Sequence, residues 1–450
     1  MSLRVDRRRR AAPGLRCAVL QLLLACDADT ESAASLAPLG GRLLASDVAG
    51  NQWLTTAADG TVDSRYTLDS IDPRCQGKEF DPYCLAFQAQ RRTAHDGADE
   101  VVFTWSILDS SDGSDEEATD LIGEFAAVDW ESHATRWQLA ALDFSQLGRD
   151  AGCPFDPEEP CAVPEGLATD AYWRCHLHMP HDIVFASDSS AGWRGWIADT
   201  RNTRLLEVEL PSGQSCGVVR SLVNEEDPDW AIYESPNSLA HGERDGVPFL
   251  LVSIKGTHEA GAEAEAQLGG AGKGKIAWWE LREGRWTQAW EFPPEVLGAE
   301  SFVNTPHGVQ LLHDGDGNEV IAFAHSLGAH SEWSGVSGEG TVGILRVVDG
   351  QPEYLGDLRF PGKFALGFSR DVSETGDGRW IVTDSGCLTD PCDRPTRAWL
   401  IDAPTLSATG LSGAFSVDHG QQVFVDPGRI EGPYLEGEAT VLYSVEWMAE

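Results

Sequence analysis

The stretch from Met179 to Leu210, MPHDIVFASDSSAGWRGWIADTRNTRLLEVEL, decides the fold class of this 450-residue chain. It predicts three successive β-strands: one entered at Pro180-His181-Asp182, a second over 195–199 and a third over 204–208. Gly, Ser and Asn turn residues separate the three strands. A unit of this size cannot bury a core alone, so we expect related units elsewhere in the chain.

Degenerate copies of this unit recur along the sequence. They are NTPHGVQLLHDGDGNEVIAFAHS from Asn304, LGFSRDVSETGDGRWIVTDSG from Leu366, Ser235-Pro236-Asn237-Ser238 followed by FLLVSIKG, and Ser416-Val417-Asp418-His419-Gly420 followed by QQVFV. The two longest copies join a polar pair, an apolar strand, a Gly/Asp turn and a second apolar strand. Their spacing of roughly 50 to 90 residues is near the length of a four-stranded propeller blade.

Counting the predicted inner strands gives six blades. Inner strands are predicted to begin near Phe87, His181, Asn237, His307, Arg370 and His419, and outer hairpins near 124–143, 203–222, 276–292, 341–360, 397–410 and 51–68. The N-terminal hairpin has no inner strands before it, whereas FSVDHGQQVFV and EATVLYSVEW are predicted inner strands with no hairpin after them. The predicted fold is therefore all-β, a six-bladed β-propeller closed by pairing of N- and C-terminal strands.

The first 40 residues are predicted to lie outside that fold. A basic run, Arg7 to Arg10, precedes a short apolar segment, and Leu23-Leu24-Ala25-Cys26 resembles the lipobox of bacterial lipoproteins. This resemblance implies a signal peptide over 1–25, lipid on Cys26, a tether over 26–40 and one propeller domain over 41–450. An ordinary cleaved signal or a misassigned start is the alternative. We expect a lipid-anchored protein of the cell envelope, in the periplasm or on the outer surface.

Cysteine placement is typical of an exported protein. Neighbouring cysteines suggest three pairs, leaving two more for a fourth disulfide: Cys75 with Cys84, Cys153 with Cys161, Cys387 with Cys392, and Cys175 with Cys216. Zinc binding is the less favoured alternative, since no second ligand pair has the required spacing.

The charge balance restricts the partners. Asp and Glu number 72 against 33 Lys and Arg, a formal net charge of −39, which repels nucleic acid and anionic lipid headgroups. We therefore expect no nucleic-acid partner, membrane attachment through Cys26 only, and a monomer.

Segment 109–120 is either a calcium loop or a solvated loop, and segments 145–178 and 256–274 are candidate lids.

Polar residues open the predicted inner strands and should converge on a central channel. They are His181, Asn237, His307, Arg370 and His419, with Gln88 or Gln90 in the first blade. An Arg fork with His and Asn donors can bind an oxyanion, and imidazoles can supply a nucleophile or a general acid or base. The structural alternative is that they satisfy backbone groups at the channel mouth. The sequence contains no phosphate loop, paired-His helix or nucleophile elbow, so we expect no cofactor.

Two family resemblances rest on these residues. Pro180-His181-Asp182 through Asp199-Thr200-Arg201-Asn202-Thr203-Arg204 resembles an NHL-type propeller repeat. Over most of residues 180–330 the chain also resembles bacterial arylsulfate sulfotransferases, exported six-bladed propellers that move a sulfuryl group between phenols through a sulfated histidine. The resemblance is carried by His181-Asp182, by Asn237-Ser238, and by His307 before the strand ending in Phe323-Ala324-His325-Ser326.

That second resemblance implies a role for each channel residue. His307 would attack sulfur, Arg370 and Asn237 would hold the sulfuryl oxygens, and His181 or His419 would assist proton transfer, with a small anionic or aryl compound as substrate. Ser235 and Ser253-Ile254-Lys255 differ from the family pattern, so Arg370 or Lys255 would supply the positive charge. Two other hypotheses are a propeller that binds a glycan or protein without chemistry, and a lyase or lactonase with Zn²⁺ or Ca²⁺ on the histidines.

Overall fold

The computed structural model describes most of the chain from Gly40 onward. The described residues are 40–47, 52–57, 62–71, 75, 83–93, 99–109, 120–132, 134–139, 142–143, 177, 180–186, 192–200, 204–211, 217–222, 236–254, 274–292, 306–327, 339–360, 365–385, 396–406, 415–416, 421–425 and 442–448. The predicted signal peptide, lipidated Cys26 and tether up to residue 39 lie outside these residues, and so does His419.

The described residues form 26 β-strands and one short helix. The first strands are β1 (Arg42–Asp47), β2 (Gln52–Ala57), β3 (Val62–Thr67), then α1 (Leu68–Ile71), β4 (Tyr83–Thr93), β5 (Asp99–Asp109), β6 (Asp120–Asp129), β7 (Thr135–Leu139), β8 (Leu142–Asp143), β9 (Pro180–Phe185), β10 (Gly192–Asp199), β11 (Arg204–Pro211) and β12 (Gly217–Ser221). The remaining strands are β13 (Pro236–Arg244), β14 (Val247–Ile254), β15 (Lys275–Arg282), β16 (Arg285–Phe292), β17 (Val309–His313), β18 (Glu319–Leu327), β19 (Glu339–Val348), β20 (Gln351–Arg359), β21 (Ser369–Glu374), β22 (Trp380–Asp384), β23 (Arg397–Ile401), β24 (Phe415–Ser416), β25 (Gln421–Val425) and β26 (Leu442–Met448).

These strands assemble into six sheets built on four antiparallel strands each. In order of hydrogen bonding, sheet I is β26-β1-β2-β3, sheet II is β4-β5-β6-β7, sheet III is β9-β10-β11-β12, sheet IV is β13-β14-β15-β16, sheet V is β17-β18-β19-β20 and sheet VI is β21-β22-β23-β25. Short strands β8 and β24 add a parallel edge to sheets III and V. The all-β prediction is confirmed.

Buried apolar side chains lie between the sheets in six clusters. One representative pair for each cluster is Trp53 with Phe103, Phe125 with Ile197, Trp196 with Leu250, Phe249 with Phe323, Val320 with Trp380, and Ile381 with Leu54. Five of the clusters each join two sheets that follow one another in the chain, and the sixth joins sheet VI to sheet I. The hydrophobic core is thus divided among the sheet faces.

Tight turns connect the strands at one end of the sheets. The turns Asp245-Gly246, Glu283-Gly284 and Asp349-Gly350 have positive φ at both residues. Two such residues make the type I′ turn, whose twist matches that of antiparallel strands. Longer connections also link the strands: 144–179 runs from β8 to β9 of sheet III, 255–274 from β14 to β15 of sheet IV, and 426–441 from β25 of sheet VI to β26 of sheet I.

The opening stretch of the sequence forms β9, β10 and β11, so its three predicted strands are confirmed. The placement of the strand after His419 was wrong. That strand, β25, pairs with β23 at the outer edge of sheet VI, and the remaining inner strand is β26 of sheet I. Both segments are short apolar runs, and alternation alone does not say which sheet a strand joins. Of the cysteines, Cys75 is disulfide-bonded, and the predicted pairing stays a prediction.

Candidate functional site

Six side chains, one from each sheet, form a closed ring where the inner strands begin. We call this set the axial ring; in order of contact its members are Tyr443, Phe87, His181, Asn237, His307 and Arg370. All are buried except Arg370, which keeps part of its surface accessible. The ring residues come from segments that are far apart in sequence, so only the sheet arrangement brings them together.

Backbone irregularity explains why these side chains point inward. In four inner strands the register shift falls on the ring residue: between Ala86 and Ala89 for Phe87, between Pro236 and Ser238 for Asn237, between Ser369 and Asp371 for Arg370, and opposite Ala198 and Asp199 for His181. A shift of register leaves the residue outside the regular ladder and changes the direction of its side chain. His307 precedes β17, and its amide donates to the Ala324 carbonyl at 2.9 Å.

A chain of hydrogen bonds links the four polar members of the axial ring. Arg370 Nη1 lies 3.1 Å from His307 Nδ1, and Asn237 Nδ2 lies 3.0 Å from the same nitrogen. On its other side, Asn237 Oδ1 contacts His181 Nδ1. One buried amide therefore bridges two imidazoles, and the guanidinium contacts one end of the chain.

Aromatic side chains complete the axial ring. The Phe87 ring lies 4.6 Å from the imidazole of His181 and 5.7 Å from the ring of Tyr443, measured between centroids. Tyr443 meets the Arg370 guanidinium at 5.5 Å, and its hydroxyl donates to Asn237 Oδ1 at 3.4 Å. Phe368 lies 4.3 Å from the same guanidinium. Arg370 is thus held between aromatic faces.

The position of Arg370 is fixed by a buried ion pair in sheet VI. Asp384 accepts hydrogen bonds from the amides of Gly367 and Phe368, both at 2.9 Å, and its other oxygen lies 3.4 Å from Arg397. Arg370 Nε also donates to Ser385 Oγ at 3.2 Å. These contacts order the segment that leads into β21, and so they set the direction of the Arg370 side chain.

A second layer lies next to the axial ring along the same inner strands. We call it the acid layer; its members are Glu446, Gln88, Asp182, Ser238, Gly308 and Asp371. Ser238 Oγ and the Leu239 amide donate to Asp182 at 2.9 and 2.7 Å, and Gln88 Nε2 donates to Glu446 at 3.1 Å. Asp182 thus accepts from a serine and a backbone amide, and Asp371 accepts from the amide of the residue that follows it.

The three carboxyl groups of the acid layer resist ionisation. Burial raises the pKa of Asp182 to about 6, although hydrogen bonds from Leu239 and Ser238 oppose the shift. Burial and the charge of Asp182 raise the pKa of Glu446 to about 8. Burial, with repulsion from Glu446 and Asp182, holds the pKa of Asp371 well above its ordinary value. The acid layer therefore carries protons at pH values where exposed carboxyl groups are ionised.

Gly308 makes room for this layer. A Cβ at this position would lie 2.1 Å from Asp371 Oδ1 and 2.7 Å from Asp371 Cα, and the Gly308 amide donates to the Arg370 carbonyl at 2.7 Å. Any side chain here would push β21 away. The glycine thus lets the segment after His307 approach the strand that carries Arg370 and Asp371.

Of the five predicted site residues, the structure brings four together: His181, Asn237, His307 and Arg370. His419 and Lys255 lie outside the described residues, and Tyr443 occupies the place in the ring that had been assigned to His419. Sequence reasoning missed Phe87, Tyr443 and Glu446, and it placed Gln88 in the channel, where the structure puts it one layer deeper. A proline directly precedes three of the ring residues that were found, at Pro180, Pro236 and Pro306, and no such signal precedes the missed residues.

Three further observations concern the predicted groups. His325 lies away from the axial ring, where its Nε2 is 2.8 Å from Asp357 Oδ1, and His313 is exposed. Within the described ranges, no cluster of three or more His, Cys, Asp or Glu side chains could hold a metal ion. No helix among those residues is long and apolar enough to cross a bilayer.

Comparison with known proteins gives a fold likeness of low degree. No protein-family model and no curated protein matches the sequence. Among solved structures, the chain is similar to a putative 6-phosphogluconolactonase from Bacteroides uniformis, with 9% identity, 91% of this chain and 100% of that chain covered, and a TM-score of 0.41.

Two other solved structures are similar to this chain. A β-propeller domain from Myceliophteria thermophila has 7% identity, coverage of 89% and 90%, and a TM-score of 0.35. A xylan β-1,4-xylosidase from Bacillus halodurans has 9% identity, coverage of 70% and 55%, and a TM-score of 0.34. With scores this low, the activity of none of the three transfers to this chain, and its function has to be argued from the axial ring.

Proposed function

We infer that the six sheets are the blades of one closed β-propeller. Three features support this: six four-stranded sheets, apolar clusters that join each sheet to the next and sheet VI to sheet I, and the antiparallel pairing of C-terminal β26 with N-terminal β1. Closure by such pairing removes the free edges of an open array. The axial ring then lies at one mouth of the central channel.

We propose that the axial ring is the active site of an arylsulfotransferase-like enzyme, which moves a sulfuryl group from an aryl sulfate to a phenol. The observation that carries this proposal is the contact of the Arg370 guanidinium with Nδ1 of His307 at 3.1 Å. A sulfuryl oxygen held by the Arg370 fork would place sulfur next to an imidazole lone pair. Phe87, Tyr443 and Phe368 offer aromatic faces for an aryl group beside that position.

The chemical step that follows from this placement has two halves. In the first, His307 Nδ1 forms a bond to sulfur while the bond from sulfur to the aryl oxygen breaks, and the aryl oxygen leaves as a phenolate that solvent protonates according to its pKa. In the second, the oxygen of the acceptor phenol bonds to sulfur, the bond from sulfur to nitrogen breaks, and a ring base receives the phenol proton. Arg370 and the amide of Asn237 would stabilise the charge on the sulfuryl oxygens in both halves.

The test uses purified mature protein with 4-nitrophenyl sulfate as donor and a phenol as acceptor. We expect nitrophenolate release that depends on the acceptor, loss of turnover in His307→Ala, and at least a hundredfold decrease in Arg370→Met, in line with loss of one charge-stabilising group. His313→Ala, which changes an exposed histidine of the same sheet, is the matched control and should retain activity. Absence of turnover by the unsubstituted protein would rule out the transferase proposal.

The second candidate function is ligand binding without chemistry. It is favoured by the closure of the axial ring: the Tyr443 hydroxyl reaches across it to Asn237 at 3.4 Å, and the ring residues pack against one another. Aryl sulfates and arylsulfonates would then raise the melting temperature without being consumed. Stabilisation of unsubstituted protein but not of Arg370→Met, with no product formed, would select this function over the transferase.

A divalent cation is disfavoured as the natural ligand of His307. The lone pair of Nδ1 faces a permanent positive charge, and Asn237 Nδ2 also donates toward it. A metal ion at that nitrogen would be repelled by Arg370, whereas a sulfuryl group, which has to displace the same two donors, would be attracted by it. The donor set of the axial ring therefore fits an anion, and the metal-dependent lyase or lactonase hypothesis is the weakest of the three.

Export and lipid anchoring complete the proposed function. The support is sequence alone: the basic run, the apolar segment and the Leu23-Leu24-Ala25-Cys26 pattern. Mass spectrometry of protein isolated from bacterial membranes should find a mature chain beginning at a diacylated Cys26. Cys26→Ser should release the protein from the membrane fraction. A mature chain beginning elsewhere would contradict the anchoring proposal without affecting the proposed site.

A further inference from the structure

Arg370 restricts the protonation of His307. A guanidinium has donors only and stays charged at all ordinary pH values, so the nitrogen that faces it must accept. Arg370 Nη1 lies 3.1 Å from Nδ1 of His307 and 3.4 Å from Nε2, and Asn237 Nδ2 lies 3.0 Å from Nδ1. We assign Nδ1 as the acceptor because it has the shorter contact with Arg370 and a second donor beside it. Neutral His307 therefore carries its proton on Nε2.

His307 in turn orients the amide of Asn237. Since Nδ1 of His307 accepts, the Asn237 atom that lies 3.0 Å from it has to be the donor Nδ2. The Asn237 side chain is fully buried, and its Oδ1 then faces His181 and the hydroxyl of Tyr443. The opposite amide orientation would set an oxygen against Nδ1 and leave Arg370 only its longer contact, with Nε2 at 3.4 Å, so the shorter contact with Nδ1 favours the first orientation.

The amide orientation determines the tautomer of His181. Oδ1 of Asn237 is an acceptor, and Nδ1 of His181 contacts it, so this nitrogen carries a proton. We propose that Arg370 acts through His307 and Asn237 as a positioning group, which holds the two imidazoles in opposite tautomers and makes Nε2 of His181 the basic nitrogen of the site.

The two tautomers give the two histidines different roles in the proposed reaction. These roles rest on the proposed function. His307 directs its lone pair, on Nδ1, toward Arg370, where the sulfuryl group would bind. His181 would accept the phenol proton on Nε2 as the acceptor oxygen bonds to sulfur. His181, rather than His419, thereby becomes the candidate proton acceptor, and Asn237 becomes a positioning residue as well as an oxyanion donor.

The tautomers can be measured in the absence of any substrate. The full mature protein would be labelled with ¹⁵N-histidine, and long-range ¹H–¹⁵N correlation through the imidazole carbons would identify the protonated nitrogen of each ring. Signals would be assigned from the spectra of His181→Gln and His307→Gln. We expect the Nδ1–H form for His181 and the Nε2–H form for His307.

Variants of Arg370 test the origin of this pattern. Arg370→Lys retains a cationic donor and should keep both tautomers. Arg370→Met removes it, which frees the Asn237 amide to turn and should move His181 toward the Nε2–H form. Arg346→Met, which breaks a surface pair with Glu353 in sheet V, is the matched control and should leave both signals unchanged.

Each result decides the proposal. Wild-type histidines in the same tautomer, or His181 with its proton on Nε2, would overturn it, and so would an unchanged His181 in folded Arg370→Met. Should Arg370→Met fail to fold, the unsubstituted protein and Arg370→Lys still decide. Lack of sulfuryl transfer with the expected tautomers would remove the proposed function and leave the tautomer assignment intact.

Discussion

The axial ring and the acid layer lie next to each other on the same inner strands, yet their polar groups are stabilised differently, by hydrogen bonds in the ring and by protonation of carboxyl groups in the acid layer. In the ring, Arg370, His307, Asn237 and His181 satisfy one another through a directed chain of hydrogen bonds. In the acid layer, burial raises the pKa values of Asp182, Asp371 and Glu446, and repulsion from neighbouring carboxylates adds to this for Asp371 and Glu446. Hydrogen bonds between donors and acceptors therefore fix the arrangement of the axial ring, whereas protonation of the three carboxyl groups sets the charge of the acid layer.

Placing polar groups close together is therefore not enough to stabilise a buried cluster. Three carboxyl groups can share a buried layer only because protonation removes their charge, whereas the ring keeps a guanidinium because imidazoles, an amide and aromatic faces surround it. It follows that the stability of the acid layer depends on pH, and that the geometry of the ring depends on particular side chains.

The largest expected effect comes from Glu446, whose pKa is raised from 4.5 to about 8. Between these pH values the folded state holds a proton that the unfolded state has released, so stability falls as pH rises, by about 1.4 kcal/mol per pH unit for one proton. Glu446→Gln removes this contribution and should be the more stable protein at pH 8 by several kcal/mol, with a much smaller difference at pH 5. Urea unfolding across pH 5–9 measures it.

Glu353→Gln is the control for this experiment, since Glu353 is an exposed partner of Arg346. Its pH profile should match that of the unsubstituted protein. A Glu446→Gln profile with an unchanged slope would mean that Glu446 is ionised in the folded state, and the contrast between the two layers would then be lost.

Gly308→Ala should produce the next largest effect, because it disturbs both layers at once. The new methyl group would meet Oδ1 and the backbone of Asp371 and push β21 outward. Overpacking of this kind costs about 3 kcal/mol of unfolding free energy, and the displacement of Arg370 should also weaken arylsulfonate binding. Gly40→Ala, at a position with no neighbouring atom within 4 Å, should change neither the melting temperature nor binding.

Asn237→Ala tests the ring by itself. The variant leaves two imidazoles without the amide that bridges them, in a fully buried position, and this should cost about 2 kcal/mol. Unlike Glu446→Gln, it should lower stability by a similar amount at pH 5 and pH 8, as measured by urea unfolding. Asn318→Ala, in a partly buried turn, is the control and should cost less.

Much of this arrangement could be predicted from sequence. Alternating strands gave the all-β fold, and the residues at strand starts gave His181, Asn237, His307 and Arg370. The identity of the remaining inner strand could not be predicted, because QQVFV and LYSVEWM are both short apolar runs and only pairing with β1 or β23 distinguishes them. The acid layer was missed for a similar reason: Asp182, Asp371 and Glu446 come from three different sheets, and their mutual repulsion depends on distances that no local pattern contains.

The smallest expected effect concerns the contribution of one hydrogen bond to the pKa of Asp182 in the acid layer. The Ser238 hydroxyl donates to Asp182 at 2.9 Å and thereby lowers the pKa of that carboxyl group. Ser238→Ala removes the hydroxyl, so the pKa of Asp182 should rise above about 6. The ionised form loses stabilisation, and the cost should therefore be slight at pH 5 and reach about 1 kcal/mol at pH 8. Ser373→Ala removes a hydroxyl that donates to the Val445 carbonyl at 2.8 Å, and its cost should not vary with pH. Equal pH dependence in the two variants would show that the Ser238 hydroxyl does not favour the Asp182 carboxylate, and that burial and the backbone hydrogen bonds set its pKa.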